Sequence, residues 1–163
     1  MPKLVVLRGP SGSGKSSVAT QLKQQATGKV ALVEQDYFRR TVLGEREVGN
    51  VDNIDLINQT VLFALERNYD VILEGIFYSH RYSDMLEQLA KHSSQKHFYY
   101  FDIPFEETLI RHATKPNTHL FGEMEMRGWY NDKDYLKFAS ETTIPQESTL
   151  QQTIELILDQ TKL

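Results

Sequence analysis

Residues 9–16 are the stretch whose residue types and spacing point most directly to chemistry: they read Gly-Pro-Ser-Gly-Ser-Gly-Lys-Ser and satisfy G-x-x-x-x-G-K-[ST]. The glycines allow successive backbone N–H groups to turn inward around phosphate oxygens at the positive end of a following helix. Lys15 is then placed to reach the β- and γ-phosphates of a nucleotide, and the Ser16 hydroxyl to ligate Mg²⁺. The alternative is a plain glycine-rich turn. The apolar run before the loop and the breaker-free run after it favour a strand, phosphate-binding loop and helix.

Two carboxylates, Asp36 and Glu74, are predicted to face this loop. Asp36 follows the predicted strand 30–34 and Glu74 closes the strand 70–75, and ligands gather at the carboxyl ends of parallel strands. Asp70 begins its strand about 13 Å away, at ~3.3 Å per residue, and is interpreted as a turn residue. Asp36 is the candidate base that accepts the proton of an acceptor hydroxyl, with helix capping as the alternative. Glu74 would hold a Mg²⁺-bound water or orient the acceptor, or else accept hydrogen bonds from loop amides.

Composition limits the classes of protein to consider. The 163 residues, 40% of them hydrophobic, fit a single domain over residues 1–163. The absence of cysteine excludes disulfides and thiolate metal sites and fits a reducing compartment. No apolar run approaches the ~20 residues of a membrane span and the N-terminus lacks a signal-peptide pattern, so we expect a cytoplasmic protein that does not contact a membrane. The net charge of −4 argues against extended nucleic acid as a partner and favours a small substrate.

Apolar, β-rich runs alternate with helical runs along the chain. Strands are predicted at 3–8, 30–34, 70–75, 97–102 and near 142–144, and a last helix is predicted to be capped by Ser148 and Gln151. This alternation predicts an α/β fold, a three-layer α/β/α sandwich with a parallel sheet of about five strands. The polar segment at about 112–134 contains Pro116, Gly122 and Gly128 and is interpreted as a lid.

The loop, the run Asp36-Tyr37-Phe38-Arg39 and the short chain resemble the small P-loop kinases. This AAA_33 group includes polynucleotide 5′-hydroxyl kinases, zeta-toxin-like kinases, chloramphenicol phosphotransferase and adenylylsulfate kinase. The resemblance covers most of the chain and implies the P-loop nucleoside triphosphate hydrolase/kinase fold, with ATP and Mg²⁺ as cofactors. It implies Asp36 as general base and Arg39 as a contact to acceptor or phosphate, for which Arg40 is a substitute. The implied nucleotide contacts are Gly9, Pro10, Ser11, Gly12, Ser13, Gly14, Lys15, Ser16, Ser17, Arg111 and Lys115.

Cations are expected in the lid and near the acceptor. The family's lid follows the fourth strand and often carries Arg-x-x-x-Arg, whereas this chain has Arg111-His112-Ala113-Thr114-Lys115. Lys115 cannot grip a phosphate bidentately as an arginine does, and Arg127 is the candidate for the missing planar cation. For each lid cation, plain surface solvation is the alternative. His80 and Arg81 follow the third strand and are candidate acceptor contacts, with helix-start capping as the alternative.

The function that these features favour is an ATP-dependent phosphotransferase that moves the γ-phosphate of ATP·Mg²⁺ to a hydroxyl of a small molecule or nucleotide. The alternative is a nucleotide-dependent regulatory or binding ATPase without a dedicated acceptor. A candidate base together with a cationic lid favours the kinase. The run Asn131-Asp132-Lys133-Asp134 does not match the Asn-Lys-x-Asp of guanine-specific switches. The sequence leaves the acceptor and the oligomeric state open.

Overall fold

The computed structural model describes residues 1–45, 52–116 and 118–163, and within them a parallel sheet of five strands lies between two layers of helices. The strands are β1 (Lys3–Arg8), β2 (Val30–Glu34), β3 (Asp70–Gly75), β4 (Gln95–Asp102) and β5 (Thr142–Pro145). Their order across the sheet is β2-β3-β1-β4-β5, and every neighbouring pair is parallel. The predicted three-layer α/β sandwich is confirmed.

Six α-helices and a π-helix connect the described strands. The α-helices are α1 (Lys15–Gln25), α2 (Asp52–Glu66), α3 (Ser79–His92), α4 (Phe105–Ala113), α5 (Glu123–Trp129) and α6 (Leu150–Thr161). The π-helix, Tyr37–Val42, follows β2. None of the helices in the described ranges has the length and apolar content needed to cross a membrane.

The core has two halves because successive side chains of a strand point to opposite faces of the sheet. On one face, Leu4 and Val6 of β1 pack with apolar side chains of α2 and α3. On the other face, Val5 and Leu7 pack with apolar side chains of α1 and α6. The central strand β1 is therefore buried on both faces, as its unbroken apolar run predicts.

The N-terminus of α6 differs by one residue from the prediction. Thr149, not Ser148, is the N-cap: its Oγ1 accepts a hydrogen bond from the Gln152 backbone N–H at 3.2 Å, and its own N–H donates to Gln152 Oε1 at 3.0 Å. The Ser148 hydroxyl instead lies 2.9 Å from the Thr153 hydroxyl. Both residue pairs satisfy the capping-box spacing, so the tertiary contact decides between them.

Arg8, the last residue of β1, is completely buried and joins three segments at the carboxyl edge of the sheet. Its Nη1 donates to both carboxylate oxygens of Glu141, at 2.7 and 2.9 Å. Its Nη2 donates to the backbone carbonyls of Phe77 and Asp134, each at 2.9 Å. The Asp134 carboxylate also accepts from the Ser79 backbone N–H at 2.9 Å. The start of α3 and the segment 134–141 are thus held against the end of β1.

Replacement of Arg8 by Met is expected to destabilise the fold by about 3–5 kcal/mol, because it leaves the Glu141 carboxylate buried without its cation. The measurement is urea unfolding at equilibrium. The control is Lys91→Met, which breaks an exposed 3.1 Å ion pair with Glu87 and should cost under about 1 kcal/mol. Equal unfolding midpoints for the two variants would show that the Arg8 network does not stabilise the fold.

Candidate active site

The phosphate-binding loop leaves β1 at Gly9 and enters α1 at Lys15. Gly9 has φ +148°, and a Cβ there would lie 2.8 Å from the Cβ of Phe101 on β4. Gly12 has φ +77°, and a Cβ there would lie 2.7 Å from the Thr108 carbonyl oxygen of α4. The loop therefore requires glycine at both positions, for backbone conformation and for space. The loop leads directly into the N-terminus of α1, where backbone N–H groups stabilise an anion.

Lys15 and Glu74 lie at the bottom of the loop, both buried, with Lys15 Nζ 3.9 Å from Glu74 Oε1. The Lys15 ammonium also donates to the Pro10 carbonyl oxygen at 2.8 Å. Burial lowers the pKa of Lys15, and the Glu74 carboxylate opposes this shift. Burial likewise raises the pKa of Glu74, opposed by Lys15 and by a hydrogen bond from Ser16. Ionisable groups with pKa values shifted by burial are typical of functional sites, and the Lys15 ammonium is the group suited to neutralising the phosphates of a nucleotide.

Ser16 and Glu74 fit the predicted Mg²⁺ site. The Ser16 side chain acts to lower the pKa of Glu74, and both residues line the phosphate cavity, so a hydroxyl and a carboxylate are available beside the loop. Mg²⁺ binds to oxygen ligands of this kind, usually one or two from protein, with waters and phosphate oxygens completing the shell.

Two cavities border the loop, and a third adjoins one of them at Asp36 and Ile76. The phosphate cavity, about 130 Å³, is lined by Ser11–Ser16 together with Asp36, Glu74, Lys115 and Phe121. The α6 cavity, about 540 Å³, shares Ser13, Gly14 and Lys115 with it and extends past Ser17 and Arg111 to the start of α6. The α3 cavity, about 340 Å³, extends in the opposite direction and is lined by the following residues: Gln35, Asp36, Arg39, Asn53, Ile76, Tyr78, His80, Arg81, Tyr82, Gly128, Trp129, Tyr130 and Asn131.

Asp36 lies between the phosphate cavity and the α3 cavity and lines both. Its side chain is 64% exposed, and its Oδ1 is 3.2 Å from Arg39 Nη2 and 3.7 Å from Arg40 Nε. Within the described chain, the Asp36 side chain makes no hydrogen bond that caps the π-helix, so the geometry does not favour the capping alternative. The carboxylate is held beside the loop by two cations and remains open to solvent.

The lid cations occupy different places. Arg111 donates to the Ser13 carbonyl oxygen at 2.9 Å and to the Gln146 carbonyl oxygen at 3.0 Å, which puts its guanidinium against the outside of the loop. Lys115 lines both the phosphate and the α6 cavities. Residue 117 of the predicted lid lies outside the described residues.

Arg127 is not brought to the loop in this structure. Its guanidinium lies over the Phe105 ring, 4.4 Å from the centroid, and forms a 2.6 Å ion pair with Glu123. Arg127 lies on α5, and the ring that it contacts belongs to Phe105, the first residue of α4. The side chain therefore points to α4 and not to the loop. Its predicted catalytic role stays a prediction and would require movement of α5.

Arg40 makes contact with the lid from the other side. Its guanidinium lies 5.7 Å from the Phe121 ring centroid and 5.4 Å from the Trp129 ring centroid. The His112 ring in turn stacks on Phe121, with centroids 4.6 Å apart. A cation near the faces of two rings is attracted to both, so these contacts join the lid to the π-helix that begins beside Asp36.

The α3 cavity brings together predicted and unpredicted residues. The predicted acceptor contacts Arg39, His80 and Arg81 line it. Asn53 and Tyr82 were not predicted as site residues, and their side chains form the polar floor of this cavity: the Tyr82 hydroxyl donates to Asn53 Oδ1 at 2.9 Å. The buried Glu45 carboxylate accepts from Asn53 Nδ2 at 2.7 Å and orients that amide.

Gln35 was also missed, and the sequence did carry a signal for it. It directly precedes Asp36 at the carboxyl end of β2, the edge where site residues gather. Its Oε1 accepts from the Phe77 backbone N–H at 3.2 Å. Asn53 and Tyr82 gave no such signal because both lie in helical runs beside apolar core residues.

Comparison with protein families gives one match, and comparison with curated proteins gives none. The AAA_33 model, described as an AAA domain, matches residues 4–126. No curated protein matches the chain.

Solved structures share the fold. A structure of the Mycobacterium tuberculosis APS kinase CysC in complex with AMPPNP and APS is similar with a TM-score of 0.77 and 15% identity, over 99% of this chain and 98% of that chain. A gluconokinase from Sinorhizobium meliloti 1021 gives a TM-score of 0.63 and 15% identity, over 99% and 92%. The Pnkp1/Rnl/Hen1 RNA repair complex gives 0.61 and 20%, over 91% of this chain and 51% of that chain. At these identities the likeness concerns the fold.

Replacement of Lys15 by Ala is expected to leave the protein folded and to lower the rate of ADP formation from ATP·Mg²⁺ by 100-fold or more. The ammonium is the charged group that the loop holds beside its backbone donors. The control is Lys23→Ala, which removes an exposed lysine from the same helix. A folded Lys15→Ala variant with the wild-type rate would show that the loop does not act on phosphates.

Binding of ATP·Mg²⁺ is expected to slow amide hydrogen exchange in α5, because closure of the lid excludes water from the phosphate cavity. Segment 134–141 provides an internal control, since the Arg8 network already holds it. Hydrogen exchange followed by mass spectrometry measures both segments together. Unchanged exchange in α5 would identify it as a fixed surface helix.

Proposed function

Because the chain belongs to the AAA_33 family of AAA domains, we propose that it is a P-loop kinase that moves the γ-phosphate of ATP to a hydroxyl group of a small molecule or nucleotide. The kinship with small P-loop kinases indicated by the sequence is confirmed by the family match. The observation that carries the proposal is the position of Asp36, which lines both the phosphate cavity and the α3 cavity. A carboxylate at that junction can accept a proton from an acceptor hydroxyl that faces the γ-phosphate.

The α6 and phosphate cavities together suit ATP. The triphosphate would follow the loop, with Lys15 at the β- and γ-phosphates. The adenine ring would extend past Arg111 into the α6 cavity. Ser16 and Glu74 would hold Mg²⁺, which supplies positive charge to the phosphate oxygens when it is bound. Both lid cations at this end, Arg111 and Lys115, border the same path.

The α3 cavity would hold the acceptor with its hydroxyl toward Asp36. The carboxylate accepts the hydroxyl proton while the hydroxyl oxygen bonds to the γ-phosphorus, and the bond from that phosphorus to the bridging oxygen breaks to leave ADP. Arg39 and Arg40, 3.2 and 3.7 Å from Asp36 Oδ1, keep the carboxylate at the junction. Trp129 and Tyr130 of the lid form the opposite wall and limit access of water.

The similar structures support an arrangement with two substrates. The APS kinase was solved with AMPPNP and APS together, and the other similar proteins include a gluconokinase. The acceptors of those proteins differ, so this chain's acceptor must be argued from its own cavity. A regulatory ATPase, the alternative function, does not need a second cavity, such as the α3 cavity, beside the candidate general base Asp36.

Replacement of Asp36 by Asn is expected to lower acceptor phosphorylation by roughly 10²- to 10⁴-fold, because the amide keeps the shape but cannot accept the proton. ATP affinity should stay within a few-fold of wild type. The measurement compares nucleotide binding with ADP formation in the presence of an acceptor found in a screen of alcohols.

The matched control is Asp159→Asn, which removes an exposed carboxylate from α6. Full activity of Asp36→Asn toward the acceptor would exclude Asp36 as the base and make Glu74 the leading candidate. ADP formation that no alcohol in the screen increases would favour the regulatory ATPase.

A further inference from the structure

Gln35 is a buried polar residue between the end of β2 and the candidate base Asp36. The residue is 6% exposed, and its Oε1 accepts a hydrogen bond from the Phe77 backbone N–H at 3.2 Å. A Cβ at Gly75 of β3 would lie 2.5 Å from that Oε1 atom and 2.6 Å from the Gln35 Cβ, so the glycine leaves the space that the glutamine occupies. A buried amide costs free energy unless it is hydrogen-bonded, whereas an apolar side chain would fill the space without that cost. A glutamine at this place therefore points to a role for its hydrogen bond.

Phe77 has a backbone conformation that a bulky residue rarely adopts. Its φ is +43°, in the left-handed region, and the residue is completely buried. Such a conformation persists only where the surroundings hold it, and two buried side chains do so at this residue. Gln35 accepts from the Phe77 N–H, and Arg8 donates to the Phe77 carbonyl oxygen from Nε at 3.2 Å and from Nη2 at 2.9 Å. The turn after β3 is therefore held at both the N–H and the carbonyl of one residue.

Tyr78, the next residue, connects this turn to the lid. Its hydroxyl donates to the Trp129 backbone carbonyl oxygen at 2.6 Å, and both residues line the α3 cavity. Trp129 is the last residue of α5, so the hydrogen bond joins the start of α3 to the end of the lid helix. A change of Phe77 to negative φ would redirect Tyr78, because the dihedral angles of one residue set the direction of the chain that follows. The contact between Tyr78 and Trp129 thus depends on how Phe77 is held.

We propose that Gln35 is a positioning residue: acting through Phe77 and Tyr78, it places Trp129 and with it the lid wall of the α3 cavity. That this wall faces an acceptor rests on the proposed kinase function. Gln35 directly precedes Asp36, so one short segment would carry both the candidate base and the side chain that sets the wall. The segment would then align the acceptor hydroxyl with the carboxylate that accepts its proton.

Trp129 gives a readout that does not require an acceptor. It is the single tryptophan in the sequence, so the tryptophan emission of the protein reports its surroundings. Gln35→Met keeps the length of the side chain and removes the amide, and Tyr78→Phe removes only the hydroxyl. Each variant is expected to shift the emission to longer wavelength, because Trp129 loses its anchor and becomes more exposed to water. The double variant should shift it no further than the larger of the two single shifts, since both changes break the same path.

Urea unfolding of the same variants separates positioning from stability. The matched control Gln24→Met removes an exposed glutamine from α1 and should keep the wild-type emission and unfolding midpoint. Gln35→Asn withdraws the amide by one carbon, should give the same red shift, and serves if Gln35→Met does not fold. A folded Gln35 variant with a lowered midpoint and wild-type emission would overturn the proposal, because Gln35 would then only stabilise the fold. Shifts that add in the double variant would also overturn it, because Gln35 would then reach Trp129 by a route other than Tyr78.

Kinetics with an acceptor found in the screen of alcohols tests the link to the kinase function. In Gln35→Met the KM for the acceptor is expected to rise about 10-fold, while the KM for ATP stays within about two-fold of wild type, because the phosphate-binding loop is unchanged. An emission shift with an unchanged acceptor KM would overturn the role of this wall in acceptor binding. A wild-type protein whose ADP formation no alcohol increases would count against the kinase function, and the emission of the single and double variants would still decide whether Gln35 positions Trp129.

Discussion

The buried guanidinium of Arg8 is the constraint on which the arrangement of the site depends. A charge completely removed from water must be paired and hydrogen-bonded, so Glu141 and the carbonyls of Phe77 and Asp134 must all be in place when β1 is. Arg8 directly precedes Gly9, where the phosphate-binding loop starts. The loop, the start of α3 and the return of the lid are therefore fixed relative to one another by a single side chain.

The order of the strands in the sheet explains why the cavities on the two sides of the loop extend in opposite directions. In the order β2-β3-β1, the residues after β2 and β1 lie on either side of the end of β3. Glu74, at that end, consequently lies between Asp36 and the loop and lines the phosphate cavity with both. The α3 cavity beyond Asp36 and the α6 cavity beyond the loop extend in opposite directions, as the proposed reaction of two substrates at one phosphorus would require.

The parts that local pattern determines could be predicted from the sequence. The loop motif, the strands and the gathering of Asp36 and Glu74 beside the loop depend on residue periodicity and on the parallel arrangement of strands. Arg127 could not be placed because its direction depends on how α5 packs against Phe105, a contact between distant segments. Tyr82 and Asn53 were missed for a related reason: a polar side chain within an apolar helix is identified as part of a site only when its partner is known.

Arg40 ties two properties of the site to one side-chain conformation. The same guanidinium group that lies beside the Phe121 and Trp129 rings has its Nε 3.7 Å from Asp36 Oδ1. A rotamer of Arg40 that suits the two rings also sets the charge beside the carboxylate, and withdrawal of the rings removes the packing that selects this rotamer. Lid position and carboxylate orientation are therefore thermodynamically linked: the free energy by which this lid position favours this carboxylate orientation equals the free energy by which the orientation favours the lid position.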